Sequence, residues 1–294
     1  MDPKELPPIE ITSDELFKSH NKLPPLPQIL TRIHDIMESE ETNVNDISKL
    51  VSVDVSLTAQ ILKIVNSAYY GLRKEITDLK IAIAFLGINE IYRIVLSLSV
   101  IKSIDAGKEN DIKQFWYKSY YTALCVKLLA TKYARYLDRD ELWSAALLHD
   151  IGSLVYLKFY PDHYQEIINI GEKKGLLFSQ VEKELNIPSS STFGSLVCTY
   201  WKLPNPIKLA CENHTIDVIS HISDDDSKAD YKRILCVGSL CAEFSIRQLN
   251  KKVNQQLANT VMSVLNIDDH EFLLLMGEIR DLQLEVEQFM QSLF

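Results

Sequence analysis

Apolar residues recur along most of this chain at the spacing of one helix face. From Gln28 to Met37 the residues Ile29, Leu30, Ile33, Ile36 and Met37 fall at i, i+1, i+4, i+7 and i+8, one stripe of a 3.6-residue period, behind a Pro-rich entry, LPPLP. Shorter helices follow. Asn45 is placed to cap a helix carrying Ile47, Leu50 and Val51, and Asp54 or Ser56 one carrying Leu57, Ile61, Leu62 and Val65. Asp78 opens a helix that stops at Gly87, and Asn89 begins another reaching about Ile104.

Residues 1–20 mix acids, prolines and polar groups without a lasting period and read as a tail or an embracing arm. The polar stretch DAGKEND, Asp105 to Asp111, is the best boundary within the rest, giving helical halves at 21–104 and 105–294. In the second half the stripes run from Phe115 to Tyr136 and from Asp140 to Leu148. Asp162 opens a helix that Gly175 can close, and Ser179 with Glu182 spells a capping box. Asn205-Pro206 supplies a cap and an N1 proline, and three last helices cover roughly 228–246, 252–265 and 269–291. No strand-length alternation and no internal repeat is present, so the expected fold class is all-α.

Composition agrees. Glycine (9) and proline (10) are scarce among 294 residues that are 46% apolar, which favours helices over a turn-rich sandwich or a disordered polymer. The apolar stretch Ile91 to Ile101 is cut by Arg93 and serines and falls short of the roughly 18 residues a membrane span needs. MDPKELPPIE lacks the apolar core of a signal peptide, so a cytoplasmic location without membrane contact is expected. The five cysteines, 125, 198, 211, 236 and 241, form no CxxC and fit reduced core thiols. A net charge of −9 argues against nucleic acid as the main partner. The short helices near Asn45 to Val65 imitate a helix-turn-helix, but Asn43 to Glu75 holds four basic residues against three acidic ones, too weak a field for a DNA reader.

One local feature carries chemistry: His149-Asp150 in ALLHDIG. A neighbouring imidazole and carboxylate can both ligate a transition metal, and a metal-activated hydroxide would attack a phosphoester. A working site needs three or more ligands, whereas the other histidines (20, 34, 163, 214, 221, 270) are scattered with no HExxH. The simpler reading is that the doublet caps and braces a helix end. Asp224, Asp225 and Asp226 read as a solvated loop, since they lack EF-hand spacing. Trp116, Trp143 and Trp201 lie in apolar stripes as core anchors, and Tyr69 and Tyr70 are placed to stitch a helix end to the second half.

Taken in order, LPPLPQIL, DVSLTAQILKIVNSAYYG, IAIAFLG, FWYKS, AALLHDIG and WKLPNPIKLACENH resemble the HDOD family over about residues 21–215. These are bacterial signalling modules related to the HD superfamily of metal-dependent phosphohydrolases. The resemblance implies an N-terminal helical bundle packed against an HD-like helical bundle, and it does not imply catalysis. HD enzymes hold metals with an early histidine, the His-Asp doublet, further histidines and a late aspartate, and HDOD members have commonly lost part of that set.

Carried over onto this sequence, the resemblance puts Lys118 at the first histidine, where an ammonium repels a divalent cation. It puts Ser190 and Asn213 where histidines are common and Ser239 at the late aspartate, with Glu243 as a nearby carboxylate. His149, Asp150 and His214 remain as a vestigial metal set, and Lys118, Ser190 and Asn213 become polar members of the pocket. Lys118 is expected to pair with Asp150, and Asn213 or His214 with the His149 imidazole. No cofactor is expected, with a divalent metal as the alternative. The leading expectation is therefore a non-catalytic regulatory module acting through signalling protein partners or a small ligand. The rival is an HD phosphohydrolase acting on a nucleotide or cyclic dinucleotide. Oligomeric state and input signal stay open.

Overall fold

Side-chain caps set several helix starts. In the computed structural model, which describes residues 6–9, 23–37, 43–67, 70–104 and 109–294, helix α1 is Gln28–Met37 and α2 is Val44–Ser52. Asn43 caps α2 by accepting from Asp46 N, so the cap lies two residues before the expected Asn45, which sits inside the first turn. Asp54 caps α3 (Val55–Val65) through Leu57 N. Asp78 caps α4 (Leu79–Leu86), which ends at Gly87 with φ 85°, and α5 runs Ile88–Ile104. These helices, with residues 283–294, make one compact unit around Ile33, Ile47, Val51, Ile61 and Ile94, all fully buried. Asn66 holds the turn after α3: its amide donates to Leu62 O and Ile76 O and accepts from Ile76 N, each at 2.8 Å. The Tyr70 hydroxyl donates to Glu90 Oε1 at 2.7 Å within the same unit; Tyr69 lies outside the described residues.

The second unit comprises residues 1–23 and 106–282. Most of the expected tail, and Asp105 to Lys108 of the expected boundary, lie outside the described residues. Its helices are α6 (Glu109–Tyr133), α7 (Arg139–Leu147), α8 (Ile151–Phe159), α9 (Pro161–Lys174), α10 (Phe178–Glu184), α11 (Ser190–Tyr200), α12 (Asn205–Glu212), α13 (Ala229–Ile246) and α14 (Lys251–Leu265). The last helix, α15, is Asp269–Leu293; from Gln283 onward it belongs to the first unit, unlike the expected 105–294 half. All described secondary structure is helical. No single described helix is long and apolar enough to cross a membrane.

Two helices escaped the sequence pattern for physical reasons. Helix α8 is buried from Ile151 through Leu157, so it has no polar face to reveal its period. Helix α11, SSTFGSLVCTY, is made largely of weak helix formers and is held by packing on α8 and α12. The α8–α11 crossing depends on Gly152, where a Cβ would fall 1.8 Å from Ser190 O. The expected Ser179–Glu182 capping box is absent. Gln180 closes the start of α10 by accepting from Leu177 N at 3.0 Å, while Glu182 turns inward. All five cysteines are free and buried, and Trp116, Trp143 and Trp201 are core residues.

Candidate functional site

Four elements of the second unit converge on one polar cluster. Lys118 projects from α6, and His149 and Asp150 occupy the turn joining α7 to α8. His214 follows α12, Glu243 lies on α13, and Arg247 comes just after it. Lys118 Nζ donates to Asp150 Oδ2 at 2.9 Å and ion-pairs with Glu243 Oε1 at 2.6 Å. Arg247 Nε lies 2.5 Å from Glu243 Oε2. Two cations and two carboxylates thus form a buried chain, Asp150–Lys118–Glu243–Arg247, the arrangement that makes buried charge tolerable. Burial opposes the Lys118 ammonium, yet the two carboxylates together outweigh it and push its pKa up. Burial likewise opposes the Asp150 carboxylate, but Lys118 foremost, with both imidazoles, pulls its pKa down to about 2.

The imidazoles are held by backbone. His149 Nδ1 sits 2.6 Å from Ala146 O and His214 Nδ1 2.8 Å from Cys211 O, so each Nδ1 carries the proton and each Nε2 presents a lone pair. The rings meet edge to face with centroids 5.2 Å apart. Burial lowers the His149 pKa to about 3 and that of His214 as well, so both are neutral near pH 7. His149 Nε2 has no hydrogen-bond partner among the described residues. His214 Nε2 lies 3.7 Å from Asp150 Oδ1, too far for a hydrogen bond.

Lys118, Asp150, Ser190 and His214 are therefore brought together, with Ser239 and Glu243, around a void of about 20 Å³, room for about one water-sized particle. Asn213 is not part of this group: its amide donates to Leu209 O at 2.8 Å on its own helix, and the expected bond to His149 is made by a backbone carbonyl instead. Glu182 and Arg247 are additions the sequence reading lacked. Glu182 Oε1 accepts from Ser190 N at 2.6 Å, and burial raises its pKa to about 8. Arg247 had one legible signal, the i, i+4 spacing from Glu243.

The divalent metal of HD enzymes does not fit these residues. The two Nε2 lone pairs and Asp150 Oδ1 resemble a donor set, but no three His, Cys, Asp or Glu side chains among the described residues are close enough to share an ion. An ammonium stands 2.9 Å from the Asp150 carboxylate. The void is also too small for two ions roughly 3.5–4 Å apart.

The HDOD domain family model matches residues 23–216. A candidate phosphohydrolase from Shewanella amazonensis SB2B has a similar fold, with a TM-score of 0.67 and 20% identity over 92% of this chain and 95% of its own. So does a candidate signal transduction protein from Marinobacter aquaeolei VT8, with a TM-score of 0.69 and 19% identity over 99% of this chain and 63% of its own. An uncharacterized Treponema pallidum protein is 23% identical over 90% of this chain, which spans only 50% of that relative's length. At these identities the likeness is one of fold.

Proposed function

From the premise that this chain belongs to the HDOD family, we propose that it is a non-catalytic regulatory module, acting in the cytoplasm through protein contacts, in which a lysine has taken the place of the metal. The observation that carries this reading is the Lys118 ammonium between Asp150 and Glu243. It neutralises the carboxylates a metal would neutralise and ties α6, the α7–α8 turn and α13 together. A fixed ammonium supplies no water of lowered pKa, so the hydroxide that HD chemistry needs has no source. The net charge of −9 favours protein partners over nucleic acid.

His149 Nε2, buried with a free lone pair, is the observation on the side of a metal-dependent phosphohydrolase. The two readings separate in one experiment: metal analysis of purified protein together with a phosphodiesterase screen after Mn²⁺, Fe²⁺ or Mg²⁺ loading. The module reading expects substoichiometric metal and no turnover. Stoichiometric metal with turnover of a nucleotide phosphoester would overturn it.

A further inference from the structure

Beside the Lys118 cluster the second unit holds a half-open cavity of about 580 Å³, within the range of roughly 300–1,000 Å³ typical of small-molecule sites. Its walls come from α6, α8, α9, the start of α10 and the residues after α13. Leu154, Leu157, Ile168, Leu176 and Phe178 form an apolar body. Lys118, Asp150, Arg247 and Tyr164 form a polar end. These four groups lie near one another where the four-charge chain ends, and Gln114, Ser153, Glu172 and Gln248 add further polar positions to the lining.

The charge at that end selects among ligands. Lys118 and Arg247 are matched by Asp150 and Glu243, and the remaining charged residue of the lining, Glu172, is an exposed carboxylate. No cation of the lining is left to compensate an incoming phosphate or carboxylate, and an uncompensated anion beside Asp150 and Glu172 is disfavoured. Hydrogen-bonding capacity nevertheless remains. Arg247 has five N–H donors, of which its Nε is turned to Glu243, and Tyr164 contributes a hydroxyl kept neutral because burial raises its pKa to about 12. An uncharged acceptor, such as a carbonyl, hydroxyl or ring nitrogen, fits that end.

We propose that this cavity binds an uncharged, largely apolar small molecule whose acceptor group meets Arg247 and Tyr164 and whose body lies along Leu154, Leu157, Ile168 and Phe178. The inference rests on the reading that Lys118, and not a metal, holds Asp150, and it gives the module a ligand class distinct from nucleotides. Occupancy would bear on α6, α8, α9 and the residues after α13 together, the elements that line the cavity.

The test uses two probes of one shape: N-phenyl-1-naphthylamine, which is uncharged, and 8-anilinonaphthalene-1-sulfonate, which carries the same rings and a sulfonate. Fluorescence titration of the full chain is expected to give saturable one-to-one binding of the neutral probe, roughly tenfold or more tighter than the sulfonate. Ile168→Phe from α9 and, independently, Leu157→Phe from α8 fill the cavity; each is expected to weaken the neutral probe by about tenfold or more while the cooperative melt is retained. Using both guards against one variant failing to fold. Absence of saturable binding, equal affinity for the sulfonate, or unchanged binding in folded variants of both would overturn the proposal. Phosphoester turnover by metal-loaded protein would instead sink the non-catalytic reading, so the two failures are told apart.

Discussion

Replacing Lys118 with methionine keeps most of the length of the side chain and deletes its charge. Asp150 Oδ2 and Glu243 Oε1 then lose donors at 2.9 and 2.6 Å, and only Arg247 remains against the two buried carboxylates. At an effective dielectric near 20, each of these contacts has a gross attraction on the order of 6 kcal/mol. Most of that offsets desolvation, and removing one partner of a buried pair costs about 3–5 kcal/mol net because the other charge is stranded. For a unit of this size that corresponds to a melting temperature lower by roughly 6–20 °C. The assay is a thermal melt near pH 7 beside the double variant Lys118→Met, Asp150→Asn. Deleting these two opposite charges together leaves Glu243 matched by Arg247, so the double variant should melt above the single one. A single variant melting within about 2 °C of the unmodified protein would refute the premise that this lysine neutralises the cluster.

Three further outcomes follow from the same geometry. Gly152→Ala should prevent native packing, because the new Cβ would fall 1.8 Å from Ser190 O, a backbone atom that cannot step aside; near-normal yield and melting would contradict the α8–α11 crossing. Glu182 has a folded-state pKa raised by burial to about 8 from an ordinary 4.5, so its contribution to stability is complete below about pH 4.5 and lost as pH rises towards 8. Glu182→Gln keeps an acceptor for Ser190 N and removes the titration, so its melting temperature should gain on the parent between pH 5 and 8; parallel pH profiles would refute this assignment. Because the ammonium does the bridging, EDTA should leave the melting of the unmodified protein unchanged, and a fall reversed by Zn²⁺ or Mn²⁺ would show an ion in the pocket.

Several features were legible from residue order alone because they depend on local chemistry. The stripe from Ile29 to Met37, the Asp54 and Asp78 caps and the stop at Gly87 each rest on neighbours within a few residues, and each stands where the pattern put it. The family motifs singled out Lys118, Asp150, Ser190 and His214, which line one void, and His149, whose ring meets that of His214, and the opposite charges of Lys118 and Asp150 pointed to their pairing. Other features were decided only by packing. Helix α8 has no polar face, so its existence follows from burial on every side. Glu182 reads as a local capping residue, but the approach of Ser190 N eight positions later offers it a buried donor and turns it inward. Asn213 reads as a pocket residue, but its own helix satisfies its amide with the Leu209 carbonyl four residues back. The second carboxylate on Lys118 comes from 125 residues further along the chain, and no local rule chooses between Ser239 and Glu243 for that place. The pitch and rotation of α13 choose it, by bringing Glu243 within 2.6 Å of the ammonium and setting Arg247 behind it. That choice depends on where whole helices lie, which the tertiary fold sets.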